Sequence, residues 1–295
     1  ASMARPEPDG ERRVDAFDTL RDLLGAKEKS KDKVSWGALL AYYDIGGQYV
    51  VFNDVQLNRS GDIDQTVAHE LVHVFQDQSQ GGSEEYGSVH SGPHDRELAA
   101  HAMVEGEAQL VARALIYKRY GADLNDRDPR IPHDGLGWLL MEAKVGGEYV
   151  LGEDFLAARY REGGFDAVKA AYRRPPTSSE QLLHPAKYRR DKPQIVTLPD
   201  WPDPSARVRR SDSEVLGEAL LADALAEATV SDDEAFMQRT DEAELGAVGW
   251  DGDRMDVYVR EDGKRAALFR SVWDLDSAAQ RFAAPVVQRG DFRIH

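Results

Sequence analysis

Residues 69–73 read His-Glu-Leu-Val-His, and this spacing constrains the chain more than any other feature. Residues four apart lie one above the other on a helix, so a helix through this stretch offers His69 and His73 as two imidazoles to one metal ion. Glu70 is turned about 100° from His69 by the helix period of about 3.6 residues. From there its carboxylate reaches a water beside the metal without taking a coordination position, as a general base must. Val67, Leu71, Val74 and Phe75 recur at helical spacing, which predicts an amphipathic helix burying those four side chains. Asp62 or Asp64 is suited to cap its start and Gly81-Gly82 to end it. The bland alternative is an ordinary amphipathic helix with two surface histidines.

Two histidines need a third protein ligand to make a catalytic zinc site. The continuation x-x-Gly-x-x-His is missing, since Gln76 and Ser79 stand at those positions. A carboxylate from a second helix is the other common source. Residues 96–115 are Ala- and Leu-rich and free of proline, a strong helix-forming run. Acidic side chains on a buried helix are costly unless paired or bound to metal. Glu105 and Glu107 are two apart and diverge, so one is the ligand candidate and the other a supporting or surface group. His101, four residues before Glu105, is an alternative ligand or partner, although a satisfied histidine is the commoner fate.

Glu105-Gly106-Glu107-Ala108 resembles the Glu-Gly-x-Ala signature that carries the zinc-binding Glu of gluzincin peptidases. The stretch His69 to Gln78 with this second helix resembles a bacterial group of gluzincin-like proteins. Tyr42-Tyr43-Asp44 with Gln48 to Phe52, Ser179 to Tyr188, and Gly249 to Arg254 with Trp273-Asp274 fit the same group. The resemblance implies a zincin-like catalytic domain, with a small β-sheet beside an active-site helix. It implies one Zn2+ per chain held by His69, His73 and Glu105, with Glu70 as general base for hydrolysis of a peptide or protein substrate. It further implies an extended substrate paired along 48–52, and a distal histidine or tyrosine, His184 or Tyr188, stabilising the tetrahedral oxyanion. A helix-capping or packing role is the competing reading for His184. Asp77 stands one turn after His73, where it either orients an imidazole or remains a solvated charge. His90 and His94 border a Gly/Ser-rich loop, 81–93, whose plain reading is a solvated connection. Two other functions keep the zinc site: a catalytically silent peptidase-like protein that binds a protein partner, and a zinc hydrolase of a non-peptide amide. Glu70 argues against the silent form, because binding zinc alone does not need it.

Composition sets the limits. At 295 residues the chain is long enough for a real core and about two domains. A net charge of −16 disfavours nucleic-acid phosphates as a partner. No run approaches the roughly 18 apolar residues of a membrane span. There is no cysteine, so no disulfide marks a compartment and no thiolate competes for the metal. The opening Ala1-Ser2-Met3 reads like a cloning remnant; a signal peptide already removed would favour a secreted or cell-envelope protein, and localisation is open.

Periodicity and punctuation predict helices at 11–24, 136–145, 152–162, 164–173, 213–228, 232–246 and 274–287 besides the two metal helices. A strand pair is expected near Gly46-Gly47, and a hairpin at 254–260 and 264–272 around Asp262-Gly263. The four prolines of 193–204 read as a linker. The expected fold is α+β and mostly helical, with a catalytic domain over 1–200 and a small α+β C-terminal module over 205–295.

Overall fold

The computed structural model describes residues 15–24, 40–60, 63–79, 93–124, 146–203, 205–229 and 246–289. The predicted helices 136–145 and 232–246, the caps at Asp62 and Gly81-Gly82, and His90 lie outside those residues. The fold is α+β and mostly helical, with two small antiparallel sheets. No helix among the described residues is long and apolar enough to cross a membrane.

Contacts divide the chain into two units. One comprises Ala1–Arg5, Asp32–Gly92 and Arg96–Pro176; the other comprises Pro6–Lys31, Pro93–Asp95 and Thr177–His295. The boundary therefore falls at 176/177 and not near 200, and the first helix joins the C-terminal part. The reason is packing. Ala16, Leu20 and Leu24 share one core with Leu221, Leu225, Trp250, Met255 and Phe282.

In the first unit, β1 (Ala41–Asp44) and β2 (Tyr49–Phe52) form the expected hairpin, with Ala41 opposite Phe52. The Asp44 carboxylate accepts from Gly47 N–H to close the turn. A short helix that the sequence reading did not predict, α2 (Asp54–Ser60), follows at once; Asn53 Oδ1 accepts from Gln56 N–H at 3.3 Å and starts it. Then come α3 (Ile63–Ser79), α4 (His94–Arg119) and α5 (Gly146–Tyr172). The last of these is interrupted at Gly163 and Gly164, where the reading at 152–162 and 164–173 placed its break.

The helix α3 is turned the other way from its apolar pattern. Its buried residues are Ala68, Glu70, Gln76 and Asp77. Leu71 and Phe75, expected inside, are 56% and 65% exposed. The polar face is the inner one because every buried polar group on it finds a partner or a charged neighbour, as burial demands. One tie is Tyr43 Oη donating to Asp77 Oδ2 at 2.8 Å, which fixes β1 to α3.

The helices α4 and α5 cross at glycines. A methyl group on Gly106 would overlap the carbonyl carbon of Gly152, and one on Gly152 would overlap the carbonyl oxygen of Ala102. Only two glycines allow backbones so close. Tyr172 Oη donating to Met103 O at 2.8 Å and the Arg113–Glu153 ion pair at 2.5 Å secure the crossing.

The second unit contains α1 (Ala16–Leu23), α6 (Ser179–Leu183), α7 (Gly217–Thr229), α8 (Asp276–Arg289) and a three-stranded sheet. Its strands β3 (Val208–Glu214), β4 (Trp250–Arg260) and β5 (Arg265–Trp273) pair in that order. The predicted hairpin is present and longer than expected, with Gly263 at φ 77° in its turn. The helix predicted from 213 starts only at Gly217, because residues 213 and 214 end β3. The buried Asp253 carboxylate causes the switch: it accepts from Leu216 N–H at 2.9 Å, Gly217 N–H at 2.8 Å and Trp250 Nε1 at 2.9 Å. The run 193–203 is no free linker. Gln194 N–H donates to Asp251 O at 2.6 Å, and the Trp201 ring lies 4.8 Å from that of Tyr258.

Candidate metal centre

Two helices of the first unit build the site. From α3, one turn apart, come His69 and His73; from α4 comes Glu105. The two Nε2 atoms are 3.0 Å apart. Glu105 Oε2 lies 3.2 Å from that of His69 and 3.3 Å from that of His73. Each residue thus offers one ligand atom to a common point, all within 4.8 Å of one another.

The far side of each imidazole decides what the near side is. Gln109 Oε1 lies 3.2 Å from His69 Nδ1, and Gln76 Oε1 lies 2.9 Å from His73 Nδ1. The Gln76 amide cannot be reversed without loss, because its Nε2 donates to Val104 O at 3.1 Å and to Glu107 Oε2 at 2.8 Å. An oxygen facing Nδ1 makes that nitrogen the protonated one, so Nε2 carries a lone pair. Two imidazole lone pairs and a carboxylate then converge, and Glu105 Oε2 is buried without a hydrogen bond. Such a donor set repels itself unless a cation lies among it. Two His and one Glu with an open side are the ligands of a catalytic zinc site, so these residues fit that ion.

A proton on either imidazole answers the same carboxylate in place of a metal ion. Burial pushes the Glu105 carboxyl up, but the two imidazoles beside it prevail and hold it well below the usual carboxylate range. Glu70 is 6% exposed, and burial pushes its carboxyl up against the opposing pull of His69 and His73. A carboxylate raised in this way is a stronger base than a solvated one.

Glu105 and Glu107 separate as two residues on one helix should. Glu105 turns to the imidazoles, while Glu107 holds the Gln76 amide. His101 turns instead to Glu148, with Nδ1 at 3.6 Å from its carboxylate. Asp77 is buried and is held by Tyr43, so it is not the solvated charge weighed above.

The sequence reading missed Tyr149. Its ring stacks on that of His69 at 5.9 Å and 25°. Burial, and then the charges of Glu105 and Glu70, push its phenol far up, so it stays protonated. The available signal was Tyr149-x-x-Gly152, an aromatic and a mid-helix glycine on one face.

The second unit contains His184 and Tyr188. His184 is the C-cap of α6, and its Nε2 lies 2.8 Å from Glu218 Oε1. Tyr188 is buried beneath the Arg189 guanidinium, 4.9 Å from its ring centroid. His94, in the same unit, lies 3.4 Å from Asp15. A second acidic group, Glu180, Asp191 and Asp274, surrounds the Lys187 ammonium at 2.5, 3.6 and 2.5 Å, so a side-chain cation already stands among its carboxylates.

Residues 206–292 match a family described as a domain of unknown function (DUF8575). That stretch runs from β3 through α8 and contains neither His69, His73 nor Glu105. No curated protein and no solved structure matches the chain.

Proposed function

We propose that the first unit is a zinc-dependent peptidase of gluzincin type with a zincin-like fold. The observation that carries this reading is the convergence of the His69 and His73 Nε2 atoms with Glu105 Oε2, beside the buried carboxylate of Glu70. His69, His73 and Glu105 would hold one Zn2+, which when bound supplies a Lewis acid for the scissile carbonyl and an acidified water. Glu70 takes the proton of the attacking water and returns it to the leaving amine. Tyr149 keeps its proton and stands beside His69 and Glu105, so it is assigned the donor role toward the oxyanion in preference to His184 and Tyr188. The hairpin β1–β2 offers an edge on which an extended peptide can pair.

Metal analysis of the full chain together with digestion of a peptide library tests the reading. Wild type should carry close to one zinc per chain. Glu70→Gln should retain the zinc and lose cleavage by on the order of 10²–10⁴, the usual worth of general-base catalysis. Zinc at wild-type level in both His69→Ala and His73→Ala would remove the ligand assignment. Equal cleavage by wild type and Glu70→Gln would remove the mechanism.

A further inference from the structure

The two candidate ligand histidines are not supported by carboxylates but by neutral amides, and one of those amides is itself held. We infer that Gln76, Gln109 and Glu107 are positioning residues that set the tautomer and orientation of both imidazoles, with Glu107 acting on His73 only through Gln76. This rests on the metal reading above.

A neutral imidazole carries one proton and can place it on either nitrogen. An acceptor fixed at Nδ1 leaves Nε2 as the ligand atom. For His73 that acceptor is Gln76 Oε1 at 2.9 Å, one turn along the same helix. Gln76 is fully buried at 0% exposure, and its amide nitrogen sits between Val104 O and Glu107 Oε2. Both acceptors would be lost if the amide reversed, which would set its oxygen against Val104 O and Glu107 Oε2. For His69 the acceptor is Gln109 Oε1 at 3.2 Å, from a side chain 2% exposed. A single stretch of α4 thus provides the ligand carboxylate at Glu105, the grip on Gln76 at Val104 and Glu107, and the support of the other histidine at Gln109.

The chemistry of the choice follows. A carboxylate on Nδ1 would draw the ring toward imidazolate and raise its basicity. An amide fixes direction while leaving the ring neutral. The charge of Glu107 is placed one residue further back, where it polarises the amide and does not add directly to the ring.

The inference is tested by zinc affinity of the purified full chain, measured by competition with a chromophoric chelator, with melting of the metal-free proteins alongside. Gln76→Ala and Gln109→Ala should each weaken zinc by on the order of 10–100-fold. Gln76→Glu places two carboxylates against each other and should weaken it at least as much. The double variant Gln76→Glu with Glu107→Gln reverses the donor and acceptor of that pair, and should recover part of the affinity that Gln76→Glu loses, the bond to Val104 O staying lost. A purely structural role for Gln76 would not be restored by this exchange. With cobalt(II) in place of zinc, the visible bands of the double variant should shift from wild type, because a carboxylate now faces His73. Wild type that binds no zinc overturns the metal reading itself. Wild type that binds zinc while Gln76→Ala and Gln109→Ala match it overturns this inference alone. A double variant no tighter than Gln76→Glu overturns the part assigned to Glu107. Should Gln76→Ala fail to fold, Gln109→Ala and the double variant decide the matter by the same criteria.

Discussion

The phenol of Tyr149 and the imidazole of His184 are the two candidates for the oxyanion donor of the proposed reaction, and their partners distinguish them. Tyr149 stacks on His69 and is kept protonated by burial and the neighbouring carboxylates. His184 is bound to Glu218 and caps a helix. Tyr149→Phe should therefore keep its zinc and lose on the order of 10²–10³ in kcat, the usual worth of an oxyanion donor. His184→Ala should lose much less. Steady-state kinetics on one cleaved peptide read both, and the reverse order would return the role to the distal segment. At this scale the sequence was informative about placement wherever spacing dictates it: His69 and His73 fall one turn apart on α3, with Glu70 buried on the same helix. Which of Glu105 and Glu107 lies beside the imidazoles was open until the helix was seen. Gln76, Gln109 and Tyr149 were illegible, because amides and phenols serve so many ends that no short pattern singles them out.

Among the elements, the crossing of α4 and α5 sets the site. It brings Glu148 to His101 and the Tyr149 ring to His69. The glycine of Glu105-Gly106-Glu107-Ala108 thereby gains a physical reason: α5 passes over it with no room for a methyl group. Gly106→Ala should destabilise the protein by about 1–3 kcal/mol, the cost of overpacking a tight contact. Denaturant unfolding of the metal-free protein measures it, and an unchanged midpoint would mean the helices pass more loosely than this. The orientation of α3 was not legible. Its apolar residues do follow the helical period, but periodicity reports only that a stripe exists. Which face turns inward depends on whether polar groups have partners elsewhere, and Gln76 and Asp77 have theirs on α4 and β1. The start of α7 was misread for a related reason, since the buried Asp253 carboxylate that ends the strand is remote in sequence.

Taken as a whole, the molecule buries more acid than its surface composition announces. In the second unit, burial pushes Asp95 up to about 7 despite two hydrogen bonds from Ser179 that favour the ionised form. Asp253 is pushed up to about 6 by burial against the bonds it accepts. The sign follows from the protons bound. Between the ordinary carboxylate value and the raised one, the folded state holds a proton that the unfolded chain has released. Such a group favours folding at low pH, and its contribution is lost as pH rises through that window. Asp95→Asn removes one of these titrations while keeping a carbonyl acceptor for Ser179. Its stability relative to wild type should rise between pH 4 and 7, at up to about 1.4 kcal/mol per pH unit. Urea unfolding at several pH values measures this, and a flat or falling difference would reject it. The chain's organisation was legible in outline, as two parts of unequal chemistry. The boundary was not, because α1 joins its core from the opposite end of the sequence.

The meeting of Gly106 and Gly152 also has a hereditary consequence. Neither position can acquire a side chain while the other backbone stays in place, so the two should be inherited as a pair. The same holds for Gln76 with Glu107. These couplings join three separated segments into one searchable signature: His-Glu-x-x-His-x-x-Gln, then Glu-Gly-Glu-x-Gln, then Tyr-x-x-Gly. On the proposed metal reading, a line without the metal would have no reason to keep the amides, and the glycines would outlast them as the trace of how the helices cross.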